Sequence, residues 1–174
     1  MNADHNANPL LDFSGLPRFE AIRAEHVSPA IDRLLDAARA AQEAVAADDR
    51  PPTWATVAEP LADALDRLQR AWGAVTHLNA VVSTPALRDA YHASLPKITA
   101  YYTDLAQDLR LFRRYRGLAA APEFAALDPE KKRVVANELR DFRLGGAELP
   151  AAEKAQLKAV EAELAELEAR FDDN

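Results

Sequence analysis

Residues 61–82, LADALDRLQRAWGAVTHLNAVV, decide the fold. Leu61, Leu65, Leu68, Trp72, Val75, Leu78 and Val82 advance by steps of three and four, the spacing that places side chains on one face of an α-helix. Asp63/Arg67 and Asp66/Arg70 lie four apart with the acid first, the better order for pairing on a solvated face. Just upstream, Thr53 predicts the cap of a short turn. Pro60 lacks an N–H and would crowd the Thr56 carbonyl, so a break or kink is expected near Glu59.

The same period extends outward in both directions. Ser28-Pro29 predicts a helix start, a cap followed by proline at the first helical position. Ile31, Leu34, Leu35, Ala38, Ala41 and Val45 then form a stripe that ends at Asp48-Asp49-Arg50-Pro51-Pro52. Thr84-Pro85 repeats the start, and Leu87, Tyr91, Leu95, Ile98, Tyr102, Leu105, Leu109 and Phe112 predict one long helix to about Arg116, kinked at Pro96. Asp128-Pro129 opens a further helix that carries Val134, Val135, Leu139 and Phe142, with Gly145-Gly146 suited to a left-handed C-terminal cap. After Leu149-Pro150, Leu157, Val160, Leu164, Leu167 and Phe171 step three, four, three, four, close to a coiled-coil seam. Strand-like alternation and helical-repeat periods are absent. The expectation is an all-α fold, an irregular antiparallel bundle of five or six helices over 28–174, some kinked at proline. An extended arm, residues 1–27, packs on it through Leu10, Leu11, Phe13, Leu16, Phe19, Ile22 and Val27.

Composition agrees. The chain has 174 residues, 49% hydrophobic, with five glycines and no cysteine. That length supports one domain with a proper core. Without cysteine there is no disulfide, thiolate metal site or cysteine nucleophile. A net charge of -7 argues against a surface built for nucleic-acid phosphates. Met1 to Pro9 lack the basic start and apolar core of a secretory signal, and charges interrupt every apolar stripe before the ~20 residues a membrane span needs. The chain reads as a soluble protein with the cytoplasm as its default location.

Candidate chemistry is sparse. The four histidines are His5, His26, His77 and His92, and none begins a His-Glu-x-x-His pair, in which two imidazoles on one helix face bind zinc beside an activating Glu. Glu25-His26 has the order reversed, and Ala30 stands where the second histidine would be. His77 reads as a packed or hydrogen-bonded histidine near a helix end, His92 as an exposed one. There is no Gly-x-Ser-x-Gly. Asp48-Asp49 and Asp172-Asp173 sit at helix ends without a third ligand. Arg110-Leu111-Phe112-Arg113-Arg114-Tyr115-Arg116 and Lys131-Lys132-Arg133 interleave cations with aromatics, yet Phe112 continues an apolar stripe, so a structural reading is favoured over nucleic-acid binding. No residue is assigned a catalytic, cofactor-binding or metal-ligating role.

Particular strings carry more than periodicity. Asn8-Pro9-Leu10-Leu11, Leu16-Pro17-x-Phe19 and Glu25-His26-Val27-x-Pro29-Ala30-Ile31 resemble the opening of the thimet-oligopeptidase-like zinc peptidases. Thr53-Trp54, Pro60-Leu61, His77-Leu78-Asn79-x-Val81, Thr84-Pro85-x-Leu87-Arg88-x-Ala90-Tyr91, Leu95-Pro96 and Asn137-x-Leu139-Arg140-Asp141-Phe142-x-Leu144-x-Gly146 continue the likeness in the same order. The resemblance implies the N-terminal helical region of an intracellular zinc oligopeptidase that cuts short peptides inside a channel between two helical lobes. Its His-Glu-x-x-His helix and further Glu ligand belong to the C-terminal catalytic region, so the implied zinc has no ligand in this chain, and His77 and Asn79 are read as structural pins. The expected partners are that catalytic region and, through it, peptide substrates; the isolated piece is expected to be capable of homodimerising. The competing reading is a stand-alone helical adaptor that binds a partner protein.

Overall fold

The computed structural model describes residues 8–172, and among them every regular element is helical. Seven α-helices follow one another: α1 Ala24–Ala46, α2 Glu59–Val81, α3 Pro85–Ala106, α4 Leu109–Ala120, α5 Pro122–Ala126, α6 Pro129–Leu144 and α7 Ala151–Asp172. Helix α1 is the hub, packed against α2, α3 and α4, while α4 leans on α6 and α3 carries α7. The all-α expectation holds.

Several local readings hold with it. Thr84 accepts from the Leu87 N–H, and Asp128 accepts from the Lys131 N–H, each ahead of a proline in the first turn. Thr53 and Thr56 exchange side-chain and backbone hydrogen bonds at 3.2 and 2.9 Å, starting a π-helical turn, Trp54–Ala58, directly before α2. The wider turn relieves the crowding that Pro60 would impose on the Thr56 carbonyl in a straight α-helix. At the end of α6, Gly146 takes φ 88°. Its N–H bonds the Arg143 carbonyl and the Ala147 N–H bonds that of Phe142, the two bonds that close a helix through a left-handed residue.

Other expectations are corrected. Helix α1 starts at Ala24, not after Ser28, because the Arg23 N–H donates to His26 Nδ1 at 3.0 Å and the His26 N–H donates to the Arg23 carbonyl at 3.0 Å. Pro29 therefore lies inside the helix. The long helix expected to reach Arg116 divides at Gln107-Asp108, since the Asp108 carboxylate accepts from the Arg110 and Leu111 N–H groups and starts α4 afresh. This break, with the short α5, brings the count to seven. In the arm, Leu10 and Ile22 are buried and Leu11 and Phe13 pack against the core, but Leu16 is 90% exposed and Phe19 40%.

The core runs through Ile31, Leu35, Leu61, Leu68, Val75, Leu111, Phe112 and Leu118, all essentially inaccessible. Arg67 and Arg70 do not turn to Asp63 and Asp66. Both lie over the Phe13 ring, at 5.8 and 5.5 Å, and Arg70 also donates to the Gly15 carbonyl at 2.6 Å, which fastens the arm to α2.

Candidate interaction surface

The histidines are set by their helices. His26 caps α1, and its backbone carbonyl accepts from the Asn8 side-chain amide at 2.8 Å. His77 is exposed near the end of α2, its ring 5.3 Å from that of Phe19. His92 lies half-buried in α3 with its ring 5.5 Å from Tyr91. His5 lies outside the described residues, as does Asp173. These side chains stand on different elements, and among the described residues no three His, Cys, Asp or Glu side chains are grouped as a metal ion requires.

Asp48 is drawn inward rather than offered to an ion. Its carboxylate accepts from the Arg50 side chain and backbone N–H, at 2.8 to 3.1 Å, and Arg114 stands 3.7 Å away. The hydrogen bonds from Arg50, first through its side chain, hold the Asp48 pKa down at about 2. Arg114 also donates to the Arg50 carbonyl at 2.7 Å, so this cluster ties the α1–α2 connection to α4.

The stretch of cations and aromatics is likewise turned into the fold. Phe112 and Tyr115 are buried and meet Phe142 at 5.9 and 5.6 Å. Arg110 makes a two-pronged contact with Glu43 at 2.8 and 2.9 Å and also bonds Asp108. Arg116 lies over Phe112, Lys131 over Trp54, and Lys132 donates to the Ala125 carbonyl. The Thr84 to Tyr91 string has structural duties too: Arg88 bonds the Ser83 carbonyl and hydroxyl beyond the end of α2, and Tyr91 stacks on Trp72 at 5.0 Å and 7°. Asn79, expected to pin the fold, has a buried Oδ1 without a hydrogen-bond partner among the described residues. Buried Tyr101 has a hydroxyl in the same situation, and burial raises its pKa so that the phenol stays neutral.

Helix α7 is different. Lys154 and Gln107 exchange hydrogen bonds with each other's backbone carbonyls, and Lys158 pairs with Asp104 at 2.5 Å, which moors α7 to the C-terminal half of α3. Between the two helices runs a largely apolar cleft of about 530 Å³, to which α7 contributes Ala162, Ala165 and Ala169 together with Lys158, Glu166 and Arg170. The seam of Val160, Leu164, Leu167 and Phe171 points elsewhere and is 46 to 81% exposed. At 100° per residue the alanines and the seam lie on nearly opposite sides of the helix. The spacing of the seam was legible in the sequence, but its direction was not, because α3 accepts the face that carries alanines and paired charges rather than the bulky stripe.

Among the described residues these groups form internal ties, and α7 leaves an apolar seam exposed on a helical module. Comparison with known proteins gives the family. The profile described as Neurolysin/Thimet oligopeptidase, N-terminal domain, matches residues 31–156, and the chain belongs to that family. It is 39% identical to the oligopeptidase A of Salmonella typhimurium over 167 residues, covering 96% of this chain and 25% of that protein. It is 38% identical to the Escherichia coli oligopeptidase A, again over 96% of this chain and 25% of the relative. With the probable cytosolic oligopeptidase A of Arabidopsis thaliana it shares 30% identity, over 97% of this chain and 24% of that protein. The chain spans about a quarter of the length of these relatives.

Proposed function

We propose that this chain is the N-terminal domain of an intracellular, zinc-dependent oligopeptidase that hydrolyses short peptides. In this reading the arm and the bundle form one domain that builds part of the wall of the substrate channel, and no residue of it is catalytic. The observation that carries the proposal is likeness over nearly the whole chain to oligopeptidase A proteins of about four times its length. The cytoplasm is its proposed location, in keeping with the cytosolic relative.

The described residues do not fit a zinc ion. The histidines are dispersed, the Asp48 carboxylate is occupied by arginine, and no three donors are grouped among the described residues. This reading puts the metal's ligands in the C-terminal catalytic region, as the family resemblance implies, and no step of hydrolysis is assigned here. A wall suits what the chain does contain. Its core is closed, its loops are fastened by Arg50, Arg88 and Arg114, and a bundle of this kind holds a surface in place without reactive groups.

The test is a fluorogenic peptide assay on two proteins, the chain alone and a chimera in which it replaces the matching N-terminal quarter of Escherichia coli oligopeptidase A. Only the chimera is expected to cleave. Zinc-dependent turnover by the chain alone would show a site that this reading denies. A stand-alone adaptor, the competing reading, predicts an inactive chimera and a natural stop codon after Asn174.

A further inference from the structure

The two sides of α7 are unequal in a telling way. Its alanines and the paired charges Lys158, Glu166 and Arg170 face α3, the neighbour already present, while its large apolar residues, Val160, Leu164, Leu167 and Phe171, face outward. A helix that packs against one layer normally turns its bulky stripe inward and its charges out. A helix with two apolar faces is built to lie between two layers. Among the described residues no second layer covers the seam.

The rim of the seam says what that layer carries. Glu161 and Glu168 border it on one side and Glu163 on the other, and all three are exposed. Arg170 turns toward the cleft against α3 and is paired with Glu166. A second copy of α7 would set glutamate against glutamate in either orientation, which disfavours self-pairing. An apolar surface flanked by lysine or arginine would meet both the leucines and the acidic rim.

We infer that the outward seam of α7 docks on an apolar helical surface bordered by Lys or Arg in the catalytic region of the oligopeptidase. The inference rests on the function proposed above. The seam steps by four, three and four residues, the pattern that inserts side chains into the holes of a facing helix. Val160 and Phe171 are eleven residues apart, about 17 Å along the axis, so the contact extends over roughly three turns of both partners.

The experiment is hydroxyl-radical footprinting of Leu164, Leu167 and Phe171 in the chain alone and in the chimera with Escherichia coli oligopeptidase A. The chain alone is expected to be monomeric, with all three residues labelled; the chimera is expected to be active, with labelling lost. Replacing the rim with lysine in the chimera (E161K, E163K and E168K together) is expected to restore labelling, and because those side chains are exposed the chain itself still folds. An active chimera with the seam labelled as in the chain alone overturns the docking and leaves the peptidase reading standing. An inactive chimera with an exposed seam overturns both. A dimer of the chain alone that protects the seam overturns the inference in favour of a second copy.

Discussion

The side-chain amide of Asn8 donates to the backbone carbonyl of His26 at 2.8 Å, while Asn8 Oδ1 accepts from the Leu10 N–H at 3.0 Å. One residue therefore caps the first turn of the arm and fastens it to the first turn of α1, setting Leu10 in the core. Asn8→Ala should lose both contacts and cost about 1–3 kcal/mol. Asn8→Asp keeps the cap acceptor but not the donor and should cost less. Urea denaturation checks the order; equal stability of all three proteins would remove the arm's fastening from this account.

The turn after α6 makes a second prediction through its glycines. Gly146 sits at φ 88°, and an added Cβ would meet Leu149 Cδ1 at 2.7 Å. Gly146→Ala should therefore destabilise the fold by about 1–2 kcal/mol or more. Gly73 lies within α2 with nothing within 4 Å of an added Cβ, so Gly73→Ala should stabilise by about 0.5–1 kcal/mol. Thermal melts of the two variants should move in opposite directions.

Acid should loosen the α1–α2 connection. Because Asp48 is held at about 2 against an ordinary 3.8, its contribution is complete above the ordinary value and is lost as pH falls through about 2. Asp48→Asn, which abolishes that titration, should show a shallower fall in Tm between about pH 4 and 2. An acid limb as steep as that of the wild type would place the sensitivity in other carboxylates.

Core and seam leucines should respond differently in the isolated chain. Leu68 is fully buried and Leu164 is 46% exposed. Leu68→Ala should cost about 2–5 kcal/mol, and Leu164→Ala should stay within about 0.5 kcal/mol. A large loss at Leu164 in a monomer would mean that the seam already packs on its own chain.

The helices were legible wherever one signal dominated. Thr84-Pro85 and Asp128-Pro129 marked true starts because cap and proline act on adjacent residues and nothing upstream competes. Ser28-Pro29 carried the same signature and misled, because the cap formed by His26 is a side-chain contact that no propensity reveals. At residues 107 and 108 the apolar spacing runs on without a fault, and only Asp108 carries the break, by offering its carboxylate to the N–H groups of α4. The candidate surface was half legible. Its residues follow from spacing, while its outward aim depends on which face of α7 α3 accepts, a choice made by the tertiary packing at Lys154 and Lys158.

The central position of α1 has a consequence for biosynthesis. It leaves the ribosome before the other six helices, yet one of its neighbours, α4, begins about 60 residues after α1 ends, or roughly 3–12 seconds later at about 5–20 residues per second. Helical domains with mostly local contacts fold in microseconds to milliseconds, so α1 and α2 pair while the surface awaiting α4 is still bare. During those seconds the nascent hairpin keeps bare the apolar surface that α4 later covers, and translation speed rather than folding speed sets how long it stays uncovered.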